Sequence, residues 1–190
     1  MNNKQFFKLR LYFTAIVTLA MWSFLAWDHY HGGVPAHHIL AKKEMPAISN
    51  WWGGILLPAL TWFLLYRIQK RTDANNNQNG EGPIHLKIIL YQFAGALLFG
   101  MVLSVFFSLG NTDIPGYMIL AIFPLALFYP MYRSECLLGF VIGMTFTFGG
   151  VLPIAIGSIL LLVCAAIYLV IRPAILYISG KFVRTAQTNK

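Results

Sequence analysis

Four of the chain's five histidines fall within ten residues, in the segment Trp27-Asp28-His29-Tyr30-His31-Gly32-Gly33-Val34-Pro35-Ala36-His37-His38. Imidazole nitrogens beside carboxylate oxygens suit zinc and other borderline divalent ions. If a helix persists for one turn past Trp27, Asp28 and His31 lie at i and i+3 on one face, and His29 points elsewhere. The glycine pair then ends that helix, and Pro35 can open a short interfacial helix running to Lys43. On such a helix His37 and His38 stand about 100° apart, so only one of them turns back toward Asp28 and His31.

A more distant loop, Asn111-Thr112-Asp113, reaches the same side of the membrane in the topology set out below. The expected metal ligands are therefore Asp28, His31, one of His37 and His38, and Asp113, with zinc as the expected ion. Three protein ligands and an open position would bring the pKa of a bound water toward about 7, creating a nucleophile at neutral pH. Glu44, or Asp113 if it does not ligate, is the available general base. That chemistry is hydrolysis, and at the outer face of a membrane its substrate would be a lipid or a lipid-linked molecule. The simpler reading is that these histidines are solvated, or hydrogen-bond the loop together. The chain carries no HExxH, no paired HxxHH boxes and no GxSxG elbow.

The elements that must position this segment follow from composition. Of 190 residues 58% are hydrophobic and 11% charged, far from the roughly 25% charged usage of soluble domains. A membrane-spanning helix needs about 20 mostly apolar residues, because lipid offers the backbone no hydrogen-bond partners. Apolar runs at residues 11–27, 51–68, 88–109, 114–132, 136–148 and 151–171 predict six spans in one all-α transmembrane domain covering 1–190. The fourth run has Pro115 near its start and Pro124 and Pro130 as expected kinks. The apolar stretch from Cys136 to Ile171 is too long for one helix, and Gly149, Gly150 and Pro153 predict a turn near its middle. Residues 72–82, rich in Asn and Gly, predict a flexible cytoplasmic linker.

Orientation follows from the basic residues, which gather in cytoplasmic loops near span ends. A cytoplasmic N-terminus places Lys4, Lys8, Arg10, Arg67, Lys70, Arg71, Lys87, Arg133, Arg172, Lys181, Arg184 and Lys190 inside, and only Lys42 and Lys43 outside. Both termini are then cytoplasmic. The formal charge of +8 is accounted for by this flanking pattern, and no nucleic-acid partner is implied. Short loops and the absence of sorting signals point to a bacterial inner membrane.

Among the packing signals, Gly139 and Gly143 form a GxxxG, and Ala96 with Gly100 a second small-xxx-small pair. Both read first as internal helix contacts and second as a route to a homo-oligomer. Trp22, Trp27, Trp51 and Trp52 read as an interfacial aromatic belt. Glu135, next to Arg133, reads as a snorkelling or paired interfacial charge, and Gln92 as a packing hydrogen bond. Ser49 or Asn50 can cap the second span. Cys136 and Cys164 suggest neither a disulfide nor a metal site.

Three functional classes follow. A metal-dependent membrane hydrolase is suggested by the His/Asp segment. A transporter or channel for metal ions or protons would use the histidines as an entry site, although ionisable residues through the membrane centre are nearly absent. A non-catalytic membrane assembly subunit needs only the GxxxG and the exposed loop.

Overall fold

A computed structural model describes residues 3–33, 36–38, 47–79, 82–111 and 113–179. Six α-helices carry the fold: α1 Asn3–Tyr30, α2 Gly53–Asn79, α3 Gly82–Ser108, α4 Asp113–Phe128, α5 Ser134–Phe148 and α6 Val151–Ala166. Beyond Ala166 a π turn, Ile167–Ile171, leads into further helix ending at Ser179. Pro173 accounts for that wide turn: its ring would strike the carbonyl four residues back in a regular helix, and it has no N–H to donate.

The expectation of six spans is corrected. Three helical stretches, Lys4–Tyr30, Leu86–Ser108 and Val151–Ser179, are long and apolar enough to cross a membrane. The reason is length and polarity. At 1.5 Å per residue, α4 with 16 residues and α5 with 15 reach roughly 22–24 Å, short of the roughly 30 Å hydrocarbon layer. Meanwhile α2, though long, carries Arg67, Lys70, Arg71 and Asp73 in its second half. The chain turns between α4 and α5, so Pro130 lies in that turn rather than kinking a helix. In place of the flexible linker, α2 continues through Thr72 to Asn79. Thr72 is buried there, and its hydroxyl donates to the Ile68 carbonyl at 2.9 Å.

The short interfacial helix is replaced by an antiparallel ribbon. β1 (Ala36–His38) pairs with β2 (Ala47–Ser49), setting His37 opposite Ile48 and His38 opposite Ala47. A 3₁₀ turn, Asn50–Trp52, follows and leads into α2, with the Ser49 hydroxyl accepting from the Trp51 N–H at 3.4 Å. Asn50 does not cap this turn. It is 1% exposed and accepts from the Gly150 backbone N–H at 2.9 Å, joining the start of α2 to the α5–α6 turn. Gly149 holds that turn at φ +71°, ψ −171°, a conformation open essentially to glycine alone.

The tightest helix contact joins α3 to α5. A Cβ added at Gly139 would run into the Phe93 carbonyl oxygen, and one at Gly143 into that of Leu97. From the other side, a Cβ at Gly100 would lie 2.7 Å from the Phe140 carbonyl oxygen. The two small-residue pairs thus face each other within one chain, where backbone proximity maximises dispersion in a lipid environment with no hydrophobic drive. The core around this contact includes Met21, Leu25, Leu138, Val141 and Met144.

The bundle has two chemically distinct ends. Every described lysine and arginine lies toward one of them, at the start of α1, the second half of α2, the start of α3, the α4–α5 turn and the helical stretch that follows the π turn after α6. The opposite end carries Trp22, Trp27, Trp51 and Trp52, with the Trp22 and Trp51 rings 6.3 Å apart, together with the Asn50–Gly150 contact.

Candidate functional site

The histidine segment occupies the tryptophan end. α1 runs through Asp28 and His29 to Tyr30 and closes with the Gly33 N–H donating to the Asp28 carbonyl at 2.9 Å. His31 turns away from a shared site with Asp28. Its ring stacks on Trp27, centroids 3.9 Å apart, and its Nδ1 lies 3.0 Å from the Trp27 carbonyl oxygen, so the Nδ1–H tautomer donates there. His29 meets Trp51 edge-on at 6.0 Å. Asp113 sits exposed in the first turn of α4, where a carboxylate complements the helix dipole. Among the described residues no three His, Cys, Asp or Glu side chains converge to hold a metal ion. Glu44 and the side chains of His37 and His38 lie outside the described residues. The expected zinc site, the histidine cluster as its source of ligands, and the metal-dependent hydrolase built on it are corrected accordingly. The physical cause is local: a histidine one turn from a tryptophan gains more from stacking and capping the helix end than from projecting into water.

The basic end is more ordered. Arg10 is buried against α2, its guanidinium 3.8 Å from the centre of the Trp62 ring, with Nη1 donating to Gln69 Oε1 at 3.3 Å. Farther along α2, Arg71 donates through Nη2 to Glu135 Oε1 at 2.7 Å. Glu135 is fully buried at the first turn of α5, so its partner is Arg71 rather than the neighbouring Arg133. Arg133 instead donates through Nη1 to Gln92 Oε1 of α3 at 3.4 Å.

Below this polar layer lies a cleft of about 370 Å³ between α3, α4, α5 and α6. Its floor and walls include Phe99, Leu125, Phe140, Leu161 and Cys164, and Gly95 leaves part of the α3 wall without a side chain. Tyr91, Gln92, Tyr129 and Met131 line it toward the basic end. Gln92 is therefore both a wall of the cleft and the partner of Arg133. Beyond Cys164, the same side of α6 presents Tyr168, whose ring lies 5.5 Å from that of Tyr132 and 4.6 Å from the Arg172 guanidinium. The arrangement offers apolar volume between helices, with tyrosines in its wall and Arg133 held beside it by Gln92. It can hold a flexible apolar chain with a polar head at the basic rim.

The sequence reads Gln92 as packing and Glu135 as a snorkelling or paired interfacial charge, and does not place a cleft. The available signal was a cluster of polar residues, Gln92, Arg133 and Glu135, at the ends of apolar helices together with Gly95, a residue too small to fill a wall. Comparison with protein-family models, with curated proteins and with solved structures finds no match to this chain.

Proposed function

We propose that the chain is a non-catalytic membrane subunit that accommodates the apolar chain of a lipid-like molecule in the cleft between α3, α4, α5 and α6. Its basic end faces the cytoplasm of a bacterial inner membrane. One observation carries this reading: a cleft of about 370 Å³ whose described lining is apolar apart from tyrosine, glutamine and cysteine side chains. An ion path would need charges along its length. Among the described lining residues none is charged. The orientation rests on the gathering of the described lysines and arginines at one end, the pattern of cytoplasmic faces.

The test is photolabelling in vesicles with a neutral diacylglycerol carrying a diazirine in its acyl chain. The label should fall on cleft-lining peptides of α3, α5 and α6, and Gly95→Phe, which fills the open wall, should remove it. Equal labelling around all lipid-exposed helix faces, indifferent to Gly95→Phe, would reject the reading.

A further inference from the structure

We infer that the occupant of the cleft is an anionic phospholipid, its phosphate held at the basic rim by Arg133 and Arg172. The inference rests on the reading of the cleft as a lipid-chain site and goes beyond it by naming the head group. An acyl chain moving from bilayer to cleft exchanges one apolar environment for another, so the chain alone gives little selectivity. Discrimination must come from the rim.

There the chemistry is one-sided. Arg133 stands beside the cleft through Gln92, which accepts from it at 3.4 Å while lining the cavity. Arg172 is tied to the α4–α5 turn that carries Arg133 through two ring contacts. Its guanidinium lies 4.6 Å from the centre of the Tyr168 ring, and that ring lies 5.5 Å from Tyr132, next to Arg133 in sequence. Lys87 is exposed on α3 one turn before Tyr91, a residue lining the cleft. Glu135, the acidic residue in this region of α5, is fully buried and bound to Arg71 at 2.7 Å, so it does not neutralise the rim. Neither Arg133 nor Arg172 has a carboxylate partner among the described residues. Planar guanidinium groups match phosphate oxygens by paired hydrogen bonds. Basic pockets between transmembrane helices on the cytoplasmic side are suited to anionic head groups, each cation near the surface adding to the attraction.

The experiment uses the full chain in vesicles of mixed phosphatidylglycerol and phosphatidylcholine, with one of the two lipids at a time carrying the same acyl diazirine. The expected result is cleft labelling by phosphatidylglycerol about tenfold above phosphatidylcholine. In Arg133→Gln with Arg172→Gln the ratio should fall to near one while cleft labelling by phosphatidylcholine persists. Arg133→Lys with Arg172→Lys should keep part of the preference, because the charge stays while the paired hydrogen bonds are lost, an intermediate outcome that a merely structural role for the arginines would not predict. Equal labelling by the two lipids in the wild type, or a preference unchanged in the glutamine variant, overturns the head-group assignment alone. Absence of cleft labelling by either lipid overturns the chain-binding reading on which it rests.

Discussion

Asn50 and Gly150, separated by 100 positions in the chain, are joined by a 2.9 Å hydrogen bond from the Gly150 N–H to the Asn50 side-chain oxygen. The contact closes the tryptophan end of the bundle. The Gly150 N–H of the α5–α6 turn is buried, and Asn50 supplies the acceptor that burial would otherwise withhold.

Asn50→Ala should therefore lower stability by about 1–3 kcal/mol, the cost of leaving a buried donor unmatched. Gly149→Ala should be destabilising too, because a Cβ there would enter the Asn50 side chain and the backbone is at φ +71°. Denaturant titration in micelles reads both. The double variant should lose less than the sum, since Asn50→Ala makes room for the new methyl. Strict additivity would mean that the two positions do not meet.

The ion pair at the other end makes a different prediction. Glu135→Ala leaves Arg71 facing an apolar interior, and should cost about 3 kcal/mol, near the low end for breaking a buried pair because Arg71 keeps some access to solvent. Replacing both, as Glu135→Leu with Arg71→Met, should recover most of that loss. Thermal unfolding in detergent distinguishes these outcomes, and a neutral Glu135→Ala would show that the pair is not formed in the membrane.

For the glycine pair, Gly139→Leu or Gly143→Leu should prevent the α3–α5 contact altogether, because the obstructing atoms are backbone rather than side-chain tips. Gly116→Ala, at a site with nothing within 4 Å of the added carbon, should be neutral or slightly stabilising. If the GxxxG instead served a homodimer, Gly139→Leu would yield a folded monomer. The fold shown here requires loss of folded protein, which size-exclusion chromatography and circular dichroism together report.

At the tryptophan end, His31→Ala should change stability by no more than about 0.5 kcal/mol, because the residue is exposed beyond the helix end. A bound ion would raise the melting temperature in proportion to its occupancy. Added zinc should give the same small or zero shift in the wild type and in His31→Ala. A zinc-dependent rise lost on removing His31 would restore that residue as a ligand.

The sequence by itself determined what depends on neighbours along the chain. Apolar runs specified helices, Gly149 and Gly150 marked a turn, and basic residues at helix ends produced one charged end of the bundle. Length was legible as well. A run of 15 or 16 helical residues falls short of the membrane thickness, which removes α4 and α5 from the six expected spans, and the charges in the second half of α2 remove that helix as well. Tertiary structure decided the pairings. Whether Glu135 met Arg133 or Arg71 depended on how α5 packed against α2, and whether His31 faced Asp28 or Trp27 depended on a rotamer at a fraying helix end. The cleft exists because four helices separated in sequence leave a gap beside Gly95, a gap that no local pattern encodes. Local propensity acts over a few residues, whereas contacts separated by 41, 64 or 100 positions form only once helices choose their neighbours.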